Sequence, residues 1–204
     1  MTFRHAIWIR TPKTAGVSLQ SALFDHLVPS SGTAHFETCP PADFVFPEGR
    51  IFCLAPDLPG EVQKFVNVHD EVWNTALRFA VVRNPYDRFV SGWKYLKRIR
   101  NRALRDVLEH LPQSGPEYTH LTLRQCDFLA PDGALLPLHL LRFEALQRDL
   151  DALCDRLEIP RRVLPRLNRT PAKDRPFQEY LDAESRAMIA GHYRADFELL
   201  GYEP

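Results

Sequence analysis

The chain has 204 residues, 45% hydrophobic and 25% charged, which suits one domain over residues 1–204 with an ordinary buried core. Lysine plus arginine and aspartate plus glutamate both total 26, so the net charge is zero. That balance excludes bulk attraction to nucleic acid or to a membrane surface, and any bound anion must be caught by a local cluster of donors. Cys39, Cys53, Cys126 and Cys154 are scattered with no C-x-x-C pair, which argues against zinc and for buried free thiols. The first residues show no charged stretch leading into an apolar segment, and no apolar run approaches about 18 residues, so a cytoplasmic location is expected.

In chain order, His5–Arg10 is a short apolar run that suits a buried strand. Thr11–Gly16 breaks it with Pro12 and Gly16, and Leu19, Leu23 and Leu27 then predict a helix. From Val28 to Gly60 the chain is rich in proline and glycine and lacks a period, except for a candidate strand at Arg50–Leu54. Leu77–Val82 reads as a second buried strand, ended by Arg83-Asn84-Pro85 because proline cannot continue a ladder. A helix with Phe89, Val90, Trp93 and Leu96 on one face follows. Leu138–Phe143 is a further candidate strand and leads into an amphipathic helix carrying Leu146, Leu150, Leu153 and Leu157. Leu164–Pro176 is basic and irregular, and a last helix is expected from about Asp182 to Leu200. Strands alternating with helices predict a three-layer α/β/α domain around a parallel sheet, with ligands at the carboxyl ends of the strands.

Two polar loops fall at those ends. In the first, Lys13, Thr14, Ala15, Gly16, Val17 and Ser18 join a strand to a helix N-terminus, where unpaired N–H groups, two hydroxyls and a lysine suit a phosphate. This P-loop-like segment lacks the G-x-x-x-x-G-K-[ST] pattern. In the second, the strand ends in Arg83 with Ser91 on the following helix, and no acidic residue stands where a nucleotide hydrolase would hold magnesium. Two phosphate sites with no metal carboxylate fit a nucleotide carrying phosphates at both ends.

Lys13-Thr14-Ala15-Gly16-x-Ser18 resembles the 5′-phosphosulfate loop of the sulfotransferase superfamily. Phe79–Arg88 with Ser91 resembles its 3′-phosphate motif, about seventy residues further on. His120-x-x-x-x-Gln125-x-x-Phe128-Leu129, Arg142-Phe143-Glu144-x-Leu146, Leu167-Asn168-Arg169-Thr170 and Tyr193-x-x-Asp196-Phe197 with Gly201-Tyr202 are similar to the carbohydrate sulfotransferase-like branch and its small bacterial members. The resemblance implies a PAPS-dependent enzyme of EC 2.8.2 type that moves a sulfuryl group to an acceptor hydroxyl and needs no metal. It releases 3′,5′-ADP. Lys13, Thr14, Ala15, Gly16, Val17 and Ser18 would hold the 5′-phosphosulfate, and Arg83 and Ser91 the 3′-phosphate. Arg169 and Thr170 would close over the donor.

Lys13 suits the charge that develops on the leaving phosphate. For the base, relatives place a histidine or glutamate in a segment comparable to Val66–Asp70. His69 is therefore the first candidate, with Asp70 as its orienting group or itself the base. His120, in the segment resembling the His-x-x-x-x-Gln motif, is the rival and a candidate for the acceptor pocket. His5, His26, His35, His110, His139 and His192 lack motif context. The basic run Lys94, Lys97, Arg98, Arg100, Arg102, Arg105 fits an anionic polysaccharide acceptor or a solvated helix face equally well. By analogy with the branch the acceptor is a glycan, and a small metabolite or lipid hydroxyl stays open. Two other classes stay open as well: a magnesium-dependent phosphotransferase and an inactive donor-binding module.

Overall fold

The computed structural model describes residues 4–28, 39–97, 99–111, 118–165, 167 and 175–204. Its elements in order are β1 (Ala6–Ile9), α1 (Gly16–Ala22), β2 (Ile51–Leu54), α2 (Glu61–Val68), α3 (Asp70–Thr75), β3 (Leu77–Val82) and α4 (Pro85–Tyr95). Then come α5 (Leu104–His110), α6 (Thr119–Thr122), α7 (Cys126–Leu129), β4 (His139–Arg142), α8 (Leu146–Leu157), α9 (Ala183–His192) and α10 (Arg194–Leu200).

The strands form one parallel sheet in the order β2-β1-β3-β4. β1 and β2 are continuous apolar runs, and β3 is apolar except for Arg78, because both faces of the sheet are covered. On one face Ile7, Ile9, Phe52, Leu54, Ala80 and Val82 pack with Val62, Phe65, Trp73, Phe128 and Leu200. On the other, Trp8, Cys53, Phe79 and Val81 pack with Leu19, Leu23, Leu150, Leu153 and Cys154. This is the expected α/β/α layering. A third cluster joins α4, α5, α9 and α10 through Phe89, Trp93, Val107, Ile189, Tyr193 and Phe197. No helix among the described residues is long and apolar enough to cross a membrane.

Several elements depart from the sequence reading. The helix expected to carry Leu19, Leu23 and Leu27 stops at Ala22, and a 3₁₀ turn at Phe24–His26 follows. Leu27 leaves the helix to bridge Ile51, so its burial comes from the sheet edge. The expected last helix is two, because the backbone turns at Tyr193 (φ −101°, ψ 23°). The run before His69 is helical, with Val62, Phe65 and His69 on one buried face at spacings of three and four.

A parallel sheet brings all its carboxyl ends to one edge. The residues that immediately follow the four strands, Arg10, Ala55, Arg83 and Phe143, all line one pocket there. β1 sits between β2 and β3, so the chain leaves its end in opposite directions, the arrangement that opens a crevice in open α/β sheets.

Candidate active site

The pocket holds about 850 Å³ and is lined at its centre by Pro12, Lys13, Ala15, Gly16, Val17 and Ser18. Lys13 and Ala15 both adopt left-handed φ of 65°, a conformation costing about 1–3 kcal/mol each for residues with a Cβ. The strain is held by tying the loop's carbonyls back into the protein. Thr14 Oγ1 donates to the Thr11 carbonyl (2.9 Å), Arg88 Nε to the Pro12 carbonyl (3.1 Å) and Arg83 Nη1 to the Lys13 carbonyl (3.0 Å). Thr11 Oγ1 in turn donates to Val81 of β3 (3.0 Å). With those carbonyls turned away and no side chain capping α1, the concave side is left to N–H groups and cations.

This geometry corrects one expectation, for Thr14, and adds a reason for Gly16. Thr14 does not line the pocket: it is buried behind the loop, and its hydroxyl shapes the turn. Gly16 is required first by its own protein, since a Cβ there would lie 2.5 Å from Arg10 Nε. Arg10, which the sequence reading did not single out, packs across Gly16 and lines the pocket. α1 has only seven residues, so the lysine and arginines carry more of the attraction for an anion than the short helix dipole does.

On the β3 side, Arg83 is buried, lines the pocket and pairs with Asp87 (Nη2–Oδ2 2.7 Å) on the next turn of α4. Its guanidinium carbon stacks 3.8 Å from the centroid of Phe143. Its backbone is clipped by Gln125, which accepts from the Arg83 N–H (2.8 Å) and donates to the Arg83 carbonyl (2.9 Å). Gln125 is itself held by Asp196, a fully buried carboxylate that also accepts from the Cys126 N–H. Glu144 accepts from the Asn84 N–H (2.7 Å), and Asn84 caps α4 with Pro85 at its first position. The motif residues Gln125, Phe143, Glu144 and Asp196 thus converge on one task, bracing the end of β3. Ser91 faces the pocket from α4, and its hydroxyl has no hydrogen-bond partner among the described residues. Ser18 lines the pocket too, with its hydroxyl bonded to the Leu167 backbone (3.2 Å from the N–H).

Lys13 projects toward α4, where its Nζ lies 3.5 Å from the centroid of Tyr95. Burial, then the charges of Arg83 and Arg88, bring its pKa down to about 8. Tyr95 is one turn beyond Ser91 on the same face of α4 and also meets the ring of His120 (6.3 Å between centroids, 71°). His120 sits on α6, which approaches α4 closely because Gly92 has no side chain: a Cβ there would lie 2.5 Å from Leu121 Cδ2. Burial, then Lys13 and Arg88, hold the His120 pKa below the usual imidazole value, with Asp57 opposing. His120 is therefore a neutral imidazole at neutral pH, and its buried Nδ1 has no partner among the described residues.

The structure does not bring His69 to this pocket. The imidazole is 6% exposed, with rings of Phe46 and Phe65 each 5.0 Å away and Nε2 3.1 Å from the Pro40 carbonyl. It pins the junction of α2 and α3, outside the pocket lining. Asp70 is also outside the pocket: it opens α3, exposed, with Oδ1 accepting from the Glu71 N–H. Arg169 and Thr170 lie outside the described residues. Besides Arg10 and Tyr95, the pocket contains Asp57 after β2 and Arg175 before the 3₁₀ turn at Phe177–Tyr180. Arg10 and Asp57 were discoverable from the strand-end rule alone, and Tyr95 from its four-residue spacing to Ser91.

None of Lys94, Lys97, Arg100, Arg102 and Arg105 lines the pocket. Lys94 rests on the Trp93 ring (3.6 Å), and Arg105 pairs with Glu109 and Glu184.

The structure is similar to the crystal structure of a sulfotransferase from Alicyclobacillus acidocaldarius, with a TM-score of 0.55, 15% identity, and 98% of this chain and 97% of that chain covered. At that identity the likeness shows the fold alone. No curated protein matches the sequence. The model of the sulfotransferase family matches residues 5–127, more than half of the chain and both polar loops. The chain belongs to the sulfotransferase family.

Proposed function

We propose that the pocket binds PAPS and transfers its sulfuryl group to an acceptor hydroxyl, with Lys13 as the leaving-group cation and His120 as the base. The observation that carries this reading is that a partly buried lysine and a histidine whose charge is disfavoured both meet Tyr95 in the pocket wall, beside a strained loop. The residues present fit the donor. Ala15, Gly16, Val17 and Ser18 with Lys13 would receive the 5′-phosphosulfate, and Arg83 with Ser91 the 3′-phosphate. Phe143, Leu146, Leu164 and Pro165 offer apolar walls on the β4 side for the nucleoside. PAPS supplies an activated sulfuryl group on a good leaving group.

The chain's own residues do the rest. Lys13, protonated below about pH 8, faces the charge that develops on the leaving oxygen. His120, unprotonated, is available to take the acceptor's proton. The loop carbonyls bonded to Arg83 and Arg88 hold Lys13 in place before reaction, so little reorganisation remains. The acceptor would enter from the β2 side, past Ala55, Pro56 and Asp57. The basic run of α4 and α5 lies off the pocket, and Asp57 stands at this entrance. Both favour a neutral acceptor, a glycan or small alcohol, over a polyanionic one.

The test is PAPS turnover with a panel of neutral saccharides, alcohols and phenols, followed as 3′,5′-ADP release above an acceptor-free blank. Acceptor-dependent release that is lost in Lys13→Ala supports the reading. No release from PAPS, with magnesium-dependent consumption of ATP instead, would overturn it in favour of a phosphotransferase.

A further inference from the structure

Arg88 ends the second sequence motif without a role in anion binding. It lies on α4, five residues after Arg83, and is 1% exposed. Its Nε donates to the Pro12 carbonyl (3.1 Å) and its Nη2 to the Leu123 carbonyl (2.8 Å). It has no carboxylate partner among the described residues, and Nη1 is buried with no hydrogen bond there. A buried guanidinium answered by two carbonyls and the Tyr193 side chain, with no carboxylate among the described residues, is costly, so it needs a reason.

The two carbonyls give the reason. Pro12 directly precedes Lys13, and Leu123 directly follows α6, the helix that carries His120. α6 has four residues and cannot hold its shape alone. Its terminal carbonyls are fixed from outside: Leu121 accepts from the Tyr193 hydroxyl, Thr122 lies 2.9 Å from His192 Nε2, and Leu123 accepts from Arg88. Of these three ties, Arg88 is the one that also reaches the Lys13 loop.

We propose that Arg88 is a positioning residue that yokes the Lys13 loop to the His120 helix through one guanidinium fork, fixing the leaving-group cation relative to the base. This rests on the sulfuryl-transfer reading of the pocket. The fork also brings a fixed positive charge up behind both groups. Lys13 is faced by Arg83 from the end of β3, by Arg88 and Tyr95 from α4, and by His120 from α6. His120 is faced by Lys13 and Arg10 from the β1 end, by Arg88 and Tyr95 from α4, and by Asp57 from the β2 end. Removing the Arg88 charge therefore lets both groups hold their protons to higher pH.

The experiment compares Arg88→Met, which removes fork and charge, with Arg88→Lys, which keeps the charge but cannot span both carbonyls. Both are checked for folding by near-UV circular dichroism, and the pH profile of kcat/KM is recorded. Arg88→Met should lose about tenfold to a hundredfold in kcat, with both limbs of the profile moved to higher pH. Arg88→Lys should lose kcat by about tenfold with the limbs at their wild-type positions. Folded variants with wild-type kcat and wild-type limbs would overturn the proposal and leave Arg88 a core packing residue. If Arg88→Met does not fold, wild-type kcat in Arg88→Lys is enough to overturn it. Competitive acetylation of Lys13 against pH, read by mass spectrometry, needs no turnover and so separates this proposal from the reading it rests on. The Lys13 midpoint should lie near 8 and rise in Arg88→Met, and an unchanged midpoint would contradict the charge's role.

Discussion

His69 and His120 occupy two different regions of the molecule and show how environment decides what an imidazole does. Around His69 the neighbours include Phe46, Phe65 and the Pro40 carbonyl, and the imidazole is 6% exposed. Around His120 they are Tyr95, Lys13, Arg88 and Asp57 at an open pocket, with one ring nitrogen unpartnered among the described residues. The first region spends its histidine on packing and one hydrogen bond. The second puts it on the pocket wall with its charge disfavoured, the setting that the proposed proton transfer needs.

The contrast breaks most visibly by substitution. His120→Ala should lower kcat by roughly 10²–10⁴ while 3′,5′-ADP affinity, measured calorimetrically, stays within a few-fold. Activity near wild type would remove His120 as base. Lys13→Ala should cost roughly 10²–10³ in kcat with a smaller loss of 3′,5′-ADP binding, and equal losses would mean that the lysine only binds. Arg83→Ala should weaken 3′,5′-ADP about tenfold to a hundredfold while 5′-AMP changes little. Similar losses for both nucleotides would deny a 3′-phosphate contact. His69→Ala should lower stability by about 2–3 kcal/mol in urea titrations and leave the kcat of the folded protein unchanged. A selective loss of kcat there would return His69 to the chemistry.

The pH profile sharpens the same comparison. On the proposed mechanism the active form has Lys13 protonated and His120 neutral. A lysine lowered to about 8 therefore cuts kcat/KM as pH rises through 8, well before an ordinary lysine would. On the acid side activity falls as His120 takes a proton, below the usual imidazole range, because burial and nearby cations disfavour its charge. An alkaline limb near 10 would show Lys13 to be solvated and unperturbed.

Much of the donor side was legible because its signals are local. Buried strands appear as apolar runs, Pro12 and Pro85 mark where they end, and Lys13, Gly16, Ser18, Arg83 and Ser91 follow at fixed offsets. His120 was recognisable as a rival candidate, but its place beside Lys13 was not legible, because α6 is four residues long and its position depends on Gly92, Arg88 and Tyr193, each distant in sequence. His69 misled for a different reason. The resemblance drew attention to the Val66–Asp70 segment, whereas Val62, Phe65 and His69 counted by threes and fours place the histidine in the core. Thr14 misled because a hydroxyl in a phosphate loop can serve the loop as well as the ligand, and here it is turned inward. Gln125, Phe143, Glu144 and Asp196 were recognisable as motif residues, but their shared role around Arg83 required the sheet to be assembled.

The most direct test of the pocket as a PAPS site is calorimetric titration with 3′,5′-ADP, with 5′-AMP and ATP as comparators and EDTA present. Tight, metal-independent binding of 3′,5′-ADP that weakens sharply when the 3′-phosphate is removed is the predicted result. Equal binding of 5′-AMP, or binding of ATP alone and only once magnesium replaces EDTA, would contradict it.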